Sequence, residues 1–266
     1  MEIKNDIGYF IYPLAIMVVL FSSFLYSFLI AQRKKLQHQK DLDALREGQQ
    51  NQLIESAVRS EETERHRIAE TLHDEVGAIL SSAKLHWQGI KYNTLDQRDK
   101  ALYDKGKELL DNGIQRVRGI SHNLHSSILK EFGLNEAIRH FVNTTLKGTM
   151  IEASTDLDDN YKTENPENDI SIYRIVQELI NNILKYANAK ELNIRSVFSQ
   201  GQLEITLQHN GIGLTQNQFQ DLRYEKEGLG LKNIQNRIIL LKGSINFNLA
   251  EDGYSIYITA PINNKP

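Results

Sequence analysis

The sequence predicts an α plus α/β protein: an N-terminal transmembrane helix, then a long helix and a dimeric four-helix bundle, then an α/β sandwich. Three observations predict this order. Residues 7–31 carry no charge and are mostly apolar, residues 36–92 contain no proline and have a helical apolar pattern, and strand and helix patterns alternate after about residue 150. With 40% hydrophobic residues among 266, the chain can form one or two domains with real cores.

The composition excludes several classes of function. The chain has no cysteine, which excludes disulfides, thiol catalysis and cysteine metal sites. Its eight histidines show no paired spacing typical of zinc ligands. The net charge of −3 is too small to indicate direct binding to nucleic acid.

The apolar run at 7–31 predicts a membrane anchor within a first region, 1–35. About 25 residues at about 1.5 Å each can cross a bilayer. The basic cluster Arg33-Lys34-Lys35 follows the run, so we expect a single pass through the inner (plasma) membrane with the C-terminal part in the cytoplasm. A cleaved signal peptide is the alternative, but the run is long for one and the basic cluster lies on its wrong side.

The next two regions are predicted to be helical and dimeric. Residues 36–60 carry a narrow leucine-rich stripe, which favours a coiled-coil linker, since such a stripe on a long helix needs a partner to bury it. Residues 61–127 contain two helical patterns separated by a turn at 93–96, and two chains would together form a four-helix bundle. A solvated linker helix in a monomer is the alternative.

The first of these helices presents one histidine beside an acid. Ile68, Leu72 and Val76 form an apolar stripe, and His73 lies about 100° away from it, toward solvent. A neutral imidazole is nucleophilic near physiological pH, and the carboxylate of Asp74 can orient the ring and take up its proton. A surface histidine beside a surface acid is the alternative for this pair alone.

A second polar set lies on a helix predicted over 172–187. Glu178, Asn182 and Lys185 are spaced i, i+4 and i+7, which places them on one helix face. Such a face suits phosphate chemistry, because an amide oxygen can bind Mg²⁺, an acid can order the waters of the ion and a lysine can contact phosphate. A charged face exposed to water is the alternative if this helix stands alone.

Two glycine-rich segments follow this helix. The first is His209-Asn210-Gly211-Ile212-Gly213 and the second is Gly228-Leu229-Gly230. Strands are predicted at 150–155, 191–198 and 202–208 before the first segment, and at 244–249 and 254–260 after the second. Glycines allow close approach of the backbone to a nucleotide, and amides at a helix start can bind phosphate. Two such segments that follow the polar helix in this order indicate a nucleotide site much more strongly than one segment would.

The segment His73-Asp74-Glu75-Val76-Gly77, preceded by Glu64 to Ala69, resembles the dimerisation and phosphoacceptor helix of sensor histidine kinases of the NarL-partner type. By this resemblance His73 is the phosphorylated residue and Asp74 is its acid/base partner. The resemblance also implies a homodimer and a separate cytoplasmic response regulator, expected to carry a helix-turn-helix output domain.

The later segments resemble the N, G1 and G2 boxes of the GHKL ATP-binding domain shared by histidine kinases, gyrase and Hsp90, and we expect that domain over 128–266. The resemblance implies ATP and Mg²⁺ as ligands, with Glu178 ordering water, Asn182 binding the metal and Lys185 contacting phosphate. The nucleotide loops would be formed at His209, Gly211, Gly213, Gly228 and Gly230.

Three positions depart from these families. His209 stands where the first glycine box begins with an aspartate that accepts a hydrogen bond from adenine, Tyr186 replaces a frequent histidine, and Ala78 replaces a glutamine used in dephosphorylating the partner. The resemblance therefore does not extend to phosphatase activity. Besides an active kinase, two alternatives stay open: a nucleotide-impaired pseudokinase that signals as a membrane-tethered dimer, and an ATPase of the gyrase or Hsp90 kind.

Overall fold

The computed structural model describes residues 3–124, 127–162, 165–222, 229–250 and 253–262. The chain divides into two compact units, Met1–Leu53 and Ile54–Pro266. The boundaries between the four regions expected from the sequence, 1–35, 36–60, 61–127 and 128–266, stay a prediction.

The first unit is helical and belongs to helix α1, Ile3–Thr71. Between Leu14 and Ile30 its large apolar side chains are 37–69% exposed. In the part of the chain that the structure describes, one helix near the N-terminus is long and apolar enough to cross a membrane by length and composition, a test that a signal sequence also passes.

In the second unit, α1 is followed by a helical hairpin. A π-helical segment, Leu72–Val76, leads into α2, Gly77–Gln88, and a 3₁₀ turn, Tyr92–Thr94, leads into α3, Gln97–Leu124. The two arms run antiparallel. Near the turn the Trp87 indole N–H donates to the Tyr103 carbonyl at 3.1 Å, and far from it the buried Ser121 hydroxyl donates to the Ala69 carbonyl at 2.9 Å.

Helix α4, Ser127–Thr145, begins the second half of this unit and bends at Gly133, whose φ of 81° is in the left-handed region. Glycine adopts this conformation without the steric strain that a side chain would cause. Beyond the bend, Leu134, Ile138 and Phe141 are buried in the core. The sequence pattern predicts that a separate helix begins at Phe132 and runs to about residue 147. The structure shows this segment as the second part of a kinked helix.

A five-stranded mixed sheet forms the base of the C-terminal half. Its strands are β1 Glu152–Asp156, β2 Glu191–Ser199, β3 Gln202–His209, β4 Ser244–Ala250 and β5 Gly253–Pro261. The order is β1-β2-β3-β5-β4, with β1 and β2 parallel and the other pairs antiparallel. The β2–β3 turn has positive φ at Gln200 and Gly201, as in tight hairpins.

Helices pack on the buried face of this sheet. They are α5 Pro166–Asn182, continued by a second π-helical segment, Ile183–Ala187, then α6 Gln216–Leu222 and α7 Leu229–Leu240. Alternate residues of β2, Leu192, Ile194 and Ser196, are buried, which shows that one face of the sheet meets the helices. The structure confirms the predicted α plus α/β class.

Candidate functional site

The π-helical segment Leu72–Val76 holds His73. The His73 side chain is 71% exposed, and its Nδ1 lies 2.8 Å from Oδ1 of Asp74. When the proton is on Nδ1 and is donated to this carboxylate, the lone pair is on Nε2, which is then the nucleophilic nitrogen. π-Helical turns are rare and occur often at functional sites.

The second polar set lies on helix α5, whose N-terminus is capped and whose apolar side chains are buried. The Asn165 side chain accepts a hydrogen bond from the Glu167 amide at 2.9 Å, and Pro166 occupies the first turn, where it loses no hydrogen bond. At the other end of the helix, Glu178 and Asn182 are half-buried, and Lys185 is exposed in the second π-helical segment.

The first glycine loop is fixed to the end of this helical run. The Ile212 amide donates to the Ala187 carbonyl at 2.7 Å. A side chain at Gly211 would collide with that same carbonyl oxygen, and one at Gly213 would collide with the Tyr254 ring. Glycine is required at both positions because the backbone passes so close to its neighbours.

His209 is the last residue of β3 and is only 3% exposed. Its ring stacks on Tyr254, with the ring planes 13° apart and the centroids separated by 5.8 Å. Its Nδ1 is buried without a hydrogen-bond partner among the described residues. Burial lowers the pKa of His209, so the ring is neutral at pH 7 and one of its nitrogens can accept a hydrogen bond.

The second glycine loop reaches the same helix. A side chain at Gly230 would collide with the Glu178 carboxylate, so the start of α7 lies directly against α5. Gly228 lies outside the described residues. The structure thus brings Glu178, the first loop and Gly230 together around the C-terminal end of α5. Asn182 lies at this end too, one helical turn after Glu178.

Comparison with known families assigns both halves of the second unit. Residues 64–129 match the family described as histidine kinase, and residues 167–264 match the family described as histidine kinase-, DNA gyrase B- and HSP90-like ATPase. The chain belongs to the histidine kinase family. The first match contains His73 and Asp74, and the second contains Glu178, Asn182 and the described glycine positions.

Two curated relatives of this histidine kinase are sensor proteins. Sensor histidine kinase MctS of Rhizobium johnstonii is 29% identical over 79% of this chain and 45% of its own length. Oxygen sensor histidine kinase NreB of Staphylococcus carnosus is 26% identical over 75% of this chain and 56% of its own length. The chain therefore spans about half the length of these relatives. The solved histidine kinase domain of the Erythrobacter litoralis EL346 blue-light activated kinase aligns over 77% of this chain and 95% of that chain at 16% identity, with a TM-score of 0.46.

In this histidine kinase, a buried arginine joins the sheet-containing half of the second unit to the helix that leads into His73. Arg174 of α5 is 5% exposed, and its Nη2 lies 2.5 Å from Oε1 of Glu62 on α1. The same guanidinium donates to the carbonyls of Asn123 and Leu124 at 3.1 and 2.7 Å, and so pairs two carbonyls that the end of α3 leaves open.

A second arginine reinforces this contact. Arg237 of α7 is 3% exposed and its Nη2 lies 3.1 Å from Oε2 of Glu61 and 3.7 Å from Oε2 of Glu62. Burial lowers the pKa of Arg237, and the two carboxylates oppose that effect. Sequence reasoning missed both arginines, although each lies on a helix beside apolar residues that are expected to be buried, Ile172 and Ile175 for Arg174 and Ile234 and Ile238 for Arg237. A charge in such a place needs a partner.

These contacts hold the sheet-containing half at a distance from His73 along the helix. Glu62 precedes His73 by eleven residues, which corresponds to about 16 Å along α1. Glu178 lies only one turn beyond Arg174 on α5. The polar face of α5 is therefore placed near the level of Glu62 rather than at His73.

Proposed function

We propose that this chain is a membrane-anchored sensor kinase of a two-component system, which transfers the γ-phosphoryl group of ATP to His73. The observation that supports this most is the His73–Asp74 pair. Its exposed imidazole has Nδ1 directed at a carboxylate and Nε2 left open, within the segment that matches the histidine kinase family.

The nucleotide would bind at the end of α5. Gly211, Gly213 and Gly230 lie where the backbone has no room for side chains, as expected of loops that approach phosphates closely. The buried, unpartnered Nδ1 of His209 fits a ligand that brings a hydrogen-bond donor, and the amino group of adenine is one.

The half-buried amide of Asn182 and carboxylate of Glu178 suit Mg²⁺, which prefers oxygen ligands and keeps several waters and phosphate oxygens. Bound there with ATP, the ion would neutralise charge on the β- and γ-phosphates. Asn182 would ligate it, Glu178 would orient one of its waters, and Lys185 would contact a phosphate oxygen.

The reaction itself would be an in-line displacement. Nε2 of His73 forms a bond to the γ-phosphorus while the bond from that phosphorus to the β–γ bridging oxygen breaks, and ADP leaves. The Nδ1 proton passes to Asp74, so the phosphorylated ring is neutral. The phosphoryl group then moves from His73 to an aspartate of a separate response regulator, which we expect to have a helix-turn-helix output domain.

Autophosphorylation tests this proposal. Purified full-length protein in lipid nanodiscs, given radiolabelled ATP and Mg²⁺, is expected to acquire a phosphate that is labile in acid and stable in base. His73→Gln should abolish the label, whereas His86→Gln, which changes an exposed histidine of α2, should not. Absence of label at millimolar ATP in the wild-type protein would contradict the proposal.

Replacement of His209 distinguishes the kinase from the pseudokinase. A carboxylate accepts the adenine amino group more readily than a neutral imidazole, and an unpaired buried donor costs about 1–3 kcal/mol. His209→Asp is thus expected to tighten ATP binding about tenfold, with His209→Asn as the uncharged control of similar shape. If the wild type carries no label and His209→Asp restores it, the pseudokinase is correct; equal ATP affinity would show that His209 does not meet adenine.

The histidine kinase match over 64–129 favours the kinase over a gyrase-like or Hsp90-like ATPase, which needs no phosphoacceptor helix. Membrane anchoring is supported by the exposed apolar side chains of the first unit. We propose a single pass through the plasma membrane. The part of the chain from α4 onward, which we call the catalytic half, would lie in the cytoplasm.

We propose a homodimer as well, because the hairpin leaves large apolar side chains uncovered: Ile79, Leu85, Leu102 and Leu109 are 61–70% exposed. Burying one leucine contributes about 1.5–3 kcal/mol, and a symmetric interface buries each residue twice. Leu109→Asp is therefore expected to weaken dimerisation at least about 100-fold, measured by light scattering. Lys107→Asp, on another face of α3, should leave the dimer intact, and an unchanged dimer in Leu109→Asp would contradict this interface.

A further inference from the structure

Four residues form a row across the helix-facing side of the sheet, at one of its ends. Leu192, His209, Tyr254 and Leu249 are neighbouring register partners on β2, β3, β5 and β4, so their side chains lie on the same face. Exposure increases along this row: Leu192 is 0% exposed and His209 3%, Tyr254 is half-buried, and Leu249 is 61% exposed. The row is therefore closed at β2 and open at β4.

The open end of this row adjoins the nucleotide site proposed above. Gly213 of the first glycine loop lies so close to the Tyr254 ring that a side chain at this position would collide with the ring. The Tyr254 ring and the Leu249 side chain form an apolar floor beside the loop, and nucleotide bases stack well on aromatic side chains. A purine base placed here would cover both side chains and bring its polar edge to His209.

His209 is the polar group that such a base would meet. Asn210, the next residue, is not available, because its side-chain oxygen accepts hydrogen bonds from the amides of Lys190 and Glu191 at 2.9 and 3.0 Å. Burial lowers the pKa of His209, so its ring is neutral at pH 7. A carboxylate can only accept hydrogen bonds, whereas a neutral imidazole has one nitrogen that donates and one that accepts.

No described residue determines which nitrogen of His209 carries the proton. Nδ1 has no hydrogen-bond partner among these residues, and less than 1 Å² of its surface is accessible, so water does not bind it either. The tautomer of a histidine is set by the hydrogen bonds of its ring nitrogens. A ligand would meet Nε2 in the described ring orientation, or Nδ1 after a half-turn about the Cβ–Cγ bond. In both cases the hydrogen bond to the base would select the tautomer.

The two purines differ at the group that His209 would contact. Adenine carries an amino group at C6, which donates a hydrogen bond, and guanine carries an oxygen there, which accepts one. A carboxylate pairs with the amino group and repels the oxygen. The imidazole of His209 can pair with either group by changing its tautomer.

We propose that the nucleotide site takes GTP as well as ATP, because His209 accepts a hydrogen bond from adenine and donates one to guanine. This inference rests on the proposed function, which places the triphosphate at the end of α5. With GTP as the donor, Nε2 of His73 forms a bond to the γ-phosphorus while the bond from that phosphorus to the β–γ bridging oxygen breaks, and GDP leaves. The Nδ1 proton of His73 passes to Asp74, as it does with ATP.

Labelling with each nucleotide tests this inference. Full-length protein in nanodiscs, given Mg²⁺ and either ATP or GTP labelled at the γ-phosphate, is expected to be labelled at His73 by both, with kcat/KM values that differ by less than about tenfold. His209→Asp should raise the preference for ATP at least about tenfold above that of the wild type, because the carboxylate would face the guanine oxygen. His209→Asn, whose amide both donates and accepts, should keep the wild-type preference.

A charge control and a binding measurement complete the test. Asn248→Asp adds the same charge to an exposed position on the opposite face of β4 and should leave the preference unchanged. Calorimetry with ADP and GDP separates this inference from the proposed function: similar affinities without labelling would support recognition of both bases and contradict the kinase. A preference for the adenine nucleotide above about tenfold, an unchanged preference in His209→Asp, or no binding of either nucleotide would overturn the inference.

Discussion

Asn182→Ala is expected to lower the rate of His73 phosphorylation at least about 100-fold, while the protein keeps its fold. The amide is the proposed protein ligand of Mg²⁺, and neutralisation of phosphate charge by a metal contributes several kcal/mol to phosphoryl transfer. Alanine is a good helix former, so the end of α5 should remain intact. The rate is measured by labelling at saturating ATP, and ATP affinity is measured separately.

Asn181→Ala provides the matched control, because it removes the same chemical group from the adjacent position of α5. On a helix the two side chains point about 100° apart, and both lie within one turn of Glu178, so this pair of variants distinguishes which of the two amides is the ligand. Labelling should persist in Asn181→Ala. If both variants lose labelling equally, or if Asn182→Ala retains it, the assignment of the metal ligand to Asn182 is wrong.

Glu62→Gln is expected to release the catalytic half from α1. The substitution leaves the Arg174 guanidinium, which is 95% buried, beside a neutral amide, and loss of one partner from a buried ion pair costs about 3–5 kcal/mol. Hydrogen exchange at residues 54–62 and 170–177 should become faster, since these segments contain the contact. The melting temperature of the sheet, which is not part of this contact, should change little.

The same variant should autophosphorylate faster than the wild type. In the described arrangement the catalytic half contacts α1 at Glu62, about 16 Å before His73 of the same chain, so we expect it to leave this position when it delivers phosphate. Glu64→Gln is the control, because Glu64 is exposed and, among the residues that the structure describes, pairs with Arg67 of the same helix alone. A variant with faster exchange but a slower reaction would show instead that the contact supports catalysis.

The sequence predicted the secondary structure well where the patterns are local. The strands β2 and β3 were expected at 191–198 and 202–208 and extend one residue further, because alternation of apolar residues and the Gln200-Gly201 turn define both ends. The first strand was expected at 150–155 and lies at Glu152–Asp156. Its boundary depends on pairing with β2, which is distant in sequence and has no local signal.

The sequence also identified the individual residues of the candidate site, but it did not predict the contacts that these residues make. The i, i+4 spacing places Glu178 and Asn182 on one face of α5, as expected. That Gly230 lies against Glu178 and that His209 stacks on Tyr254 are long-range contacts, which no local pattern encodes. The π-helical segment at His73 was not predicted either, because a single π-helical turn within a long α-helix leaves no distinct apolar spacing in the sequence.

The most direct test of the central claim is to locate the phosphoryl group on the protein after reaction with ATP and Mg²⁺. Peptide mass spectrometry identifies the residue, and phosphorus–proton correlation NMR distinguishes the two ring nitrogens. The contact between Nδ1 and Asp74 predicts phosphate on Nε2 of His73. Phosphate on another residue, or on Nδ1 of His73, would contradict the proposed transfer from the nucleotide at the end of α5 to the open nitrogen of this imidazole.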